Sequence, residues 1–313
     1  MINPEGAHGA FEPFESGIVP GLVVVGDDAE EKLFELTRGE DTRPIDEYDA
    51  DFDGAFTRKQ SGIHSSAWVV ARGFMVGNNG AEHAALYKTY RALEKANAFD
   101  SDSSYEWNHK AALLLPGIPY ERYVNELLVR TRLKLGSLAL VETVLSDPDI
   151  PFAFVSSGLK PTIQRILADK QIPHPADRVG IYANDFEVVD GVIANVNLDE
   201  IVHSTNKVAY PPADERPRRG LGGMAIIMGD EPHDSRISGR PADEVFRIRA
   251  DGGMQRIIDG SGEAGFWKFL ADSRAAGYDA VTLEDNLYSP TMLVELNLRA
   301  RGIPIVRHTR KAA

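Results

Sequence analysis

The sequence predicts an α/β protein. Short apolar runs alternate with amphipathic segments along most of the chain, which is the pattern of strands and helices that follow each other in an α/β fold. The chain has 313 residues and 43% hydrophobic content, which is enough to bury a full core. This length fits one large domain with an insertion, or two domains.

Nine short runs are typical of strands. They are residues 21–25, 45–52, 150–155, 179–183, 191–196, 224–228, 244–248, 280–283 and 303–306. The run at 45–52 is unusually polar for a central strand. After the strand at 150–155, Pro161 stands near a helix start and Ile163, Ile166 and Leu167 share one side, so we expect a helix there.

The segment from about residue 73 to 146 has a different, helical pattern. Leu86, Tyr90 and Leu93 form one apolar stripe at helical spacing. A second stripe consists of Tyr123, Leu127, Thr131, Leu135 and Leu138. The pattern therefore predicts a helical insertion, residues 73–146, between two parts of an α/β core.

Charge and composition exclude several classes of function. The formal net charge of −13 and the isoelectric point near 5.1 disfavour nucleic-acid duplexes and anionic membranes as partners. No cysteine is present, which excludes disulfides and thiolate metal sites. The N-terminal residues do not resemble a secretory signal, and no stretch approaches the ~20 apolar residues of a membrane span. We expect a soluble cytoplasmic protein.

Three aspartates alternate at the end of the polar run. Asp49, Asp51 and Asp53 stand at every second position, so in an extended strand their side chains share one face. Two unit charges ~4 Å apart repel by roughly 4 kcal/mol near a protein surface. Such carboxylates therefore need a cation, a proton or open water.

Two other strand ends carry complementary chemistry. Asp230 follows the apolar run 224–228 and Gly229, with Asp234 four residues later. Ser156, Ser157 and Gly158 follow the run 150–155, where hydroxyls and free backbone amides can hold an anion such as phosphate. Because ligands of parallel α/β sheets bind at the carboxyl ends of the strands, these residues predict a joint site for a metal cation and a phosphate.

The motifs, in chain order, resemble those of the haloacid dehalogenase-like phosphohydrolase superfamily. They are DxD at 51–53, serine at 156, Lys207 in "HSTNK" and GDxxxD at 229–234. More narrowly, residues 45 to 300 resemble the cytosolic pyrimidine 5′-nucleotidase family. The resemblance implies a Rossmann-like core with a mostly parallel sheet, residues 45–72 and 147–313. Residues 73–146 would be the cap inserted between the first and second motifs, and residues 1–44 an N-terminal extension joining the core.

The resemblance also implies roles for the motif residues. Asp51 would attack phosphorus and form an aspartyl-phosphate, an established mode of covalent catalysis. Asp53 would protonate the leaving oxygen and later activate water. Ser156, with Ser157 and Gly158, would bind the phosphoryl oxygens together with Lys207.

A Mg²⁺ cofactor is implied as well. Its ligands would be Asp51, the backbone carbonyl of Asp53, and Asp230, an oxygen set that Mg²⁺ favours. Asp234 is expected to support the metal shell or to orient Lys207. The cation would relieve the repulsion among the clustered carboxylates.

The substrate would be selected by the cap. In the family the cap supplies aromatic and acidic side chains to the base, and the comparable region here offers Phe99, Tyr105, Glu106 and Trp107. Aromatic faces stack on bases and a carboxylate accepts hydrogen bonds from an exocyclic amine. Packing of the cap against the core is the alternative role for each of them. A nucleoside monophosphate is therefore the expected small-molecule substrate, with the base undecided.

Several features depart from the family pattern. Ala55 stands where the first motif usually has threonine, and Asp49 has no family counterpart, so we expect it to be solvated or twisted away. A rival first motif follows the run 21–25, where Asp27 and Asp28 precede a helix, but it lacks the DxD spacing. The alternatives are a phosphatase for a sugar phosphate or other small metabolite, and a catalytically impaired phosphate-binding or scaffolding protein.

Overall fold

A large sheet runs through the described part of the protein. The computed structural model describes residues 14–39, 41–58, 67–95, 100–212, 222–250 and 254–306. Within these ranges eight strands form one sheet in the order β1-β2-β10-β9-β8-β3-β4-β5. Their bounds are β1 Phe14–Glu15, β2 Leu22–Val24, β3 Ile45–Ala50, β4 Phe152–Leu159, β5 Val179–Asn184, β8 Met224–Gly229, β9 Val245–Arg249 and β10 Ala280–Thr282. A separate hairpin consists of β6 Phe186–Val189 and β7 Val192–Val196.

The sheet is mostly parallel. Every neighbouring pair from β10 to β5 is parallel, whereas β1 and β2 add an antiparallel edge to β10. The carboxyl ends of β3, β4, β5, β8, β9 and β10 therefore lie at one edge of the sheet, and that of β2 lies at the opposite edge. The expected fold class, an α/β protein with a mostly parallel sheet, is confirmed.

Nine helices accompany the described strands. They are α1 Ala29–Thr37, α2 Ala67–Arg72, α3 Asn79–Lys95, α4 Ser101–Leu113, α5 Tyr120–Arg130, α6 Ser137–Leu145, α7 Lys160–Asp169, α8 Met254–Ala275 and α9 Tyr288–Ala300. Helices α2 to α6 all lie between β3 and β4 in the chain. Helix α3 packs on α4, and α2 packs on α5, whereas α6 packs against β4 and α9. None of the described helices combines the length and apolar composition needed to cross a bilayer.

Two sequence expectations about these elements are wrong. Residues 303–306 form no strand. The run 191–196 does form a strand, β7, which lies in the hairpin. The second helical stripe is interrupted, because α5 ends at Arg130 and Thr131 has an extended backbone. Gly136 then adopts a left-handed conformation, with φ 88°, just before α6. Leu135 lies in this break and is exposed.

The polar strand β3 occupies the middle of the sheet because residues from other parts of the chain pair with its polar side chains. Arg240 donates two hydrogen bonds to the carboxylate of Asp46, at 2.6 and 3.0 Å, and lies 3.5 Å from Glu47. The ring of Tyr48 stacks on Phe152 of β4 with 5.2 Å between centroids. These contacts stabilise a strand that composition alone disfavours.

Asp49 corrects another expectation. Its side chain is fully buried in the middle of β3, between β4 and β8, rather than solvated or twisted away. The reason is packing on one face of the sheet, since the residues in register with Asp49, Ala153 of β4 and Ile227 of β8, belong to a buried apolar cluster.

Candidate active site

Asp51 directly follows β3 at the carboxyl edge of the sheet. Its N–H donates to the carbonyl of Met228 on β8 at 2.8 Å, and its side chain is buried. The next turn is fixed by Phe52, which packs on Phe154 of β4 with 5.4 Å between centroids. Asp51 is thus presented from a rigid position between β8 and β4.

In the turn after Asp51, Thr57 supplies a hydroxyl in place of the one that is missing at Ala55. The Thr57 hydroxyl accepts a hydrogen bond from the Gly54 N–H at 3.0 Å, and both Ala55 and Thr57 are buried. A hydroxyl two residues further along the chain therefore ties the loop. Its presence removes one reason to expect impaired activity.

The loop after β8 is held by Asp234. Its Oδ2 accepts hydrogen bonds from the N–H groups of Asp230, at 3.2 Å, and Glu231, at 3.0 Å. A Cβ atom at Gly229 would overlap the Cβ of Asp234 and lie 2.8 Å from the hydroxyl of Tyr278, so only glycine fits there. This packing fixes the buried carboxylate of Asp230 at the same sheet edge as Asp51.

Lys207 joins the two loops. Its Nζ donates to Oδ1 of Asp51 at 2.6 Å and to Oδ1 of Asp234 at 2.7 Å, and its side chain is only 3% exposed. The lysine begins a short 3-10 helix, Lys207–Ala209, that packs against the loop after β8. Residues 156 positions apart in the chain, Asp51 and Lys207, are thereby in direct contact.

Burial controls the ionisation of this cluster. Burial raises the pKa of Asp51 well above its usual range, Asp234 and Asp230 add to the rise, and Lys207 opposes it. Burial alone would lower the pKa of Lys207, but the carboxylates of Asp234 and Asp51 outweigh it and the pKa is raised. Burial would likewise raise the pKa of Asp234, but Lys207 outweighs it and the pKa is lowered to about 2. Lys207 is therefore a persistent cation between two acids.

The carboxylates fit a divalent cation. One oxygen each of Asp51, Asp230 and Asp234 lies within 4.8 Å of the others, and all three residues are buried. Lys207 contacts two of these three acids, and a divalent cation would offset more of their desolvation. The hard oxygen donors suit Mg²⁺. Both oxygens of Asp234 already accept hydrogen bonds from Lys207 and two amides, which favours a supporting role for it.

The end of β4 faces the same space. The Ser156 hydroxyl accepts from the Gly158 N–H at 3.1 Å. A Cβ atom at Gly158 would lie 3.2 Å from both the Ser156 hydroxyl and Oδ2 of Asp53, so Asp53 lies directly beside this strand end. The strand continues through Ser157 and Gly158 to Leu159 before α7 begins. The structure thus brings together Asp51, Asp53, Ser156, Lys207, Asp230 and Asp234.

Solved structures share this architecture. A crystal structure of cytosolic 5′-nucleotidase IIIB bound to cytidine aligns with a TM-score of 0.63 and 18% identity, covering 88% of this chain and 90% of that one. A probable phosphoserine phosphatase from Vibrio cholerae, in unliganded form, aligns with a TM-score of 0.50 and 13% identity over 82% of this chain and 66% of that one. The chain shares the fold of these two structures, which is the fold that the resemblance to haloacid dehalogenase-like phosphohydrolases implies. No protein-family model and no curated protein sequence matches the chain.

The resemblance to this phosphohydrolase fold, drawn from the order of the motifs, is confirmed. The first motif follows β3, the second ends β4, and the fourth follows β8, each at a carboxyl strand end. The rival first motif fails for a topological reason. Asp27 follows the antiparallel strand β2 at the opposite sheet edge, is largely exposed, and forms an ion pair with Arg274.

The predicted substrate residues of the cap lie in different surroundings. Tyr105 on α4 is partly exposed, and its ring lies 5.8 Å from that of His203, four residues before Lys207. Glu106 is exposed and forms an ion pair with Lys110. Phe99 lies outside the described residues.

Trp107 faces the interior of the helical segment. Its ring lies 5.3 Å from His83, 6.0 Å from Tyr87 and 5.7 Å from Tyr90, all on α3. These contacts are those of a residue that packs α4 on α3. Base binding by Trp107 stays a prediction.

Sequence reasoning missed two residues that fix the site loops. Tyr278, buried just before β10, donates its hydroxyl to the carbonyl of Glu231 at 2.6 Å. Asn184, the last residue of β5, hydrogen-bonds the backbone of the strand end at Ser157 and Gly158. The signal for Asn184 was a polar residue at the end of an apolar strand, the same signal that identified Ser156 and Asp230.

Proposed function

We propose that the protein is a Mg²⁺-dependent phosphomonoester hydrolase that acts through an aspartyl-phosphate on Asp51. The observation that carries this proposal is Lys207, whose buried amine contacts Asp51 and Asp234 while Asp230 completes the acidic cluster beside them. This arrangement combines a nucleophile, a fixed cation and a set of metal-binding oxygens at one edge of the sheet. The haloacid dehalogenase-like fold supports the assignment.

The reaction proceeds in two displacements at phosphorus. An oxygen of Asp51 attacks phosphorus and the P–O bond to the alcohol breaks. The leaving oxygen takes the bonding electrons and receives a proton from Asp53. In the second step Asp53 accepts a proton from water as the water attacks phosphorus, and the bond to the Asp51 oxygen breaks. Phosphate is released and both carboxyl groups return to their starting states.

The surrounding residues balance charge during these steps. Ser156 would donate a hydrogen bond to a phosphoryl oxygen, and the ammonium of Lys207 would offset the negative charge on it. Mg²⁺ held by Asp51, Asp230 and the Asp53 carbonyl would supply further positive charge at the phosphate. Asp234 keeps Lys207 aimed at Asp51, a role that its 2.7 Å hydrogen bond to the lysine amine supports.

We further propose that the substrates are nucleoside monophosphates. The order and spacing of the motifs resemble those of pyrimidine 5′-nucleotidases, and the segment between the first and second motifs places Tyr105 of α4 beside the loop that carries Lys207. An aromatic ring at this position can stack on a base while the phosphate lies at the sheet edge.

The test is phosphate release from a panel of nucleoside monophosphates, sugar phosphates and a small generic ester, each with Mg²⁺ and with EDTA. We expect EDTA-sensitive release that is selective for one group of nucleotides, and no release by Asp51→Asn. Preference for sugar phosphates would refute the substrate assignment alone. A folded protein that releases phosphate from none of them would refute the hydrolase.

Trp107→Ala tests base recognition within the same panel. Turnover of nucleotides should fall more than turnover of the small ester if Trp107 contacts the base. Equal losses would assign it to packing against His83 and Tyr90.

A further inference from the structure

Asn184 is completely buried and uses its whole amide group. It ends β5, and its Oδ1 accepts a hydrogen bond from the N–H of Val202 at 2.9 Å. Its Nδ2 donates to the carbonyls of Ser157 at 2.9 Å, Val202 at 2.9 Å and Gly158 at 3.2 Å. A side-chain amide has two N–H donors, which here are shared among three carbonyls, and an oxygen that accepts from Val202, so both ends of the amide are tied to backbone groups.

These backbone groups belong to two different parts of the site. Ser157 and Gly158 end the strand that carries Ser156, and the Gly158 N–H donates to the Ser156 hydroxyl at 3.1 Å. Val202 lies in the loop that leads to Lys207. Asn184 therefore bridges the strand end that would bind phosphate and the loop that delivers the lysine.

The bridge reaches Lys207 through a compact loop. Asn206 accepts from the His203 N–H at 2.8 Å and donates to the Ile201 carbonyl at 2.8 Å. The loop from 201 to 206 is thereby closed on itself, with Val202 inside the closed segment. Fixing Val202 fixes the whole loop, and with it the start of the Lys207 side chain.

We propose that Asn184 is a positioning residue that holds Ser156 and Lys207 at a fixed separation, so that one phosphate group meets both. This inference rests on the proposed function, because it assigns Asn184 to the same phosphate site. Asn184 does not touch the reacting atoms. It acts through the backbone of the two segments, and losing it would let them move independently.

Asn184→Asp is the most direct perturbation. Aspartate has nearly the same shape, but it replaces the Nδ2 donors with an acceptor oxygen facing the carbonyls of Ser157, Gly158 and Val202. Buried acceptors left without donors are costly, so the two segments should separate locally. Asn184→Ser is the second variant, which removes the bridge without adding charge, should the aspartate variant fail to fold.

Asn297 provides a matched control. It is also completely buried, donates to the carbonyls of Leu36 and Arg43 at 2.8 Å each, and accepts from the Ile45 N–H at 3.2 Å. It therefore bridges backbone segments with the same chemistry as Asn184. Because Ile45 begins β3, Asn297 lies at the opposite end of that strand from Asp51. Asn297→Asp should therefore destabilise the fold without changing the phosphate site.

The experiment measures binding of inorganic phosphate by titration calorimetry with Mg²⁺ present, together with the melting temperature, for wild type and the variants. We expect Asn184→Asp, or Asn184→Ser, to weaken phosphate binding at least tenfold. Asn297→Asp should bind phosphate within twofold of wild type, even if its melting temperature falls as far as that of the Asn184 variant. Steady-state turnover should show the same contrast in KM.

Two results would overturn the inference. One is unchanged phosphate affinity in a folded Asn184 variant, and the other is an equal loss in Asn297→Asp, which would make the effect one of general stability. A wild type that binds phosphate but hydrolyses no ester would refute the proposed function alone, and the contrast between the variants would still decide the role of Asn184. A wild type that binds no phosphate would overturn both.

Discussion

A buried histidine in the helical segment should make the protein sensitive to acid. His83 on α3 is completely buried, and among the described residues neither ring nitrogen has a hydrogen-bond partner. Its ring lies 5.3 Å from that of Trp107 on α4. Burial, with a smaller contribution from Arg72, lowers the pKa of His83 from 6.5 to about 4. The folded protein therefore holds this imidazole neutral.

The pKa difference sets the size and direction of the effect. Between pH 6.5 and about 4 the unfolded chain binds a proton at His83 that the folded protein does not, so stability falls as the pH falls through this window. One pKa unit corresponds to about 1.4 kcal/mol, which gives roughly 3 kcal/mol for the full difference and about 2 kcal/mol at pH 5. Above about pH 7.5 the contribution of His83 to the pH dependence of stability vanishes.

The assay is urea unfolding at pH 7.5 and pH 5 for wild type, His83→Phe and His109→Phe. The phenylalanine at 83 keeps an aromatic ring beside Trp107 but cannot take up a proton. Wild type should lose about 2 kcal/mol more than His83→Phe between the two pH values. His109→Phe, a histidine replacement on α4, should retain the wild-type loss because His83 is intact. Equal losses in wild type and His83→Phe would refute the reasoning.

Three further predictions concern the site. Asp51→Asn should abolish phosphate release while leaving the melting temperature near that of wild type, since it removes a nucleophile and one buried charge; substantial turnover in this variant would place the nucleophile elsewhere. Lys207→Met should abolish release and destabilise the fold by about 3–5 kcal/mol in urea unfolding, because it leaves the buried carboxylates of Asp51 and Asp234 without their cation. Tyr278→Phe removes the hydroxyl that donates to the Glu231 carbonyl, so calorimetric titration should show Mg²⁺ binding weakened severalfold; unchanged Mg²⁺ affinity would show that the loop after β8 does not need this contact.

The positions of the site residues could be predicted because local sequence places them. Asp51, Ser156 and Asp230 each follow or end a strand whose apolar or alternating pattern is visible in the chain, and parallel strands bring their carboxyl ends to one edge. The catalytic roles of these residues stay predictions.

Other features could not be predicted because their causes are distant in the chain. Asp49 is buried and Asp46 is neutralised by Arg240, which lies 194 residues further along. The break between α5 and α6 interrupts an apolar stripe that is continuous in sequence. At this break Leu135 pairs with Asn286, near the start of α9, and the packing of α6 on α9 overrides the local helical periodicity.

The sequence by itself determined the alternation of strands and helices, the order of the motifs and the chemistry available at each strand end, because these depend on residue type and short-range spacing. The tertiary structure decided which strands are neighbours, that Lys207 lies between Asp51 and Asp234, and that Asn184 bridges the end of β4 and the loop before Lys207. Such contacts join residues far apart in the chain, and they form only when burial of the core fixes the order of the sheet.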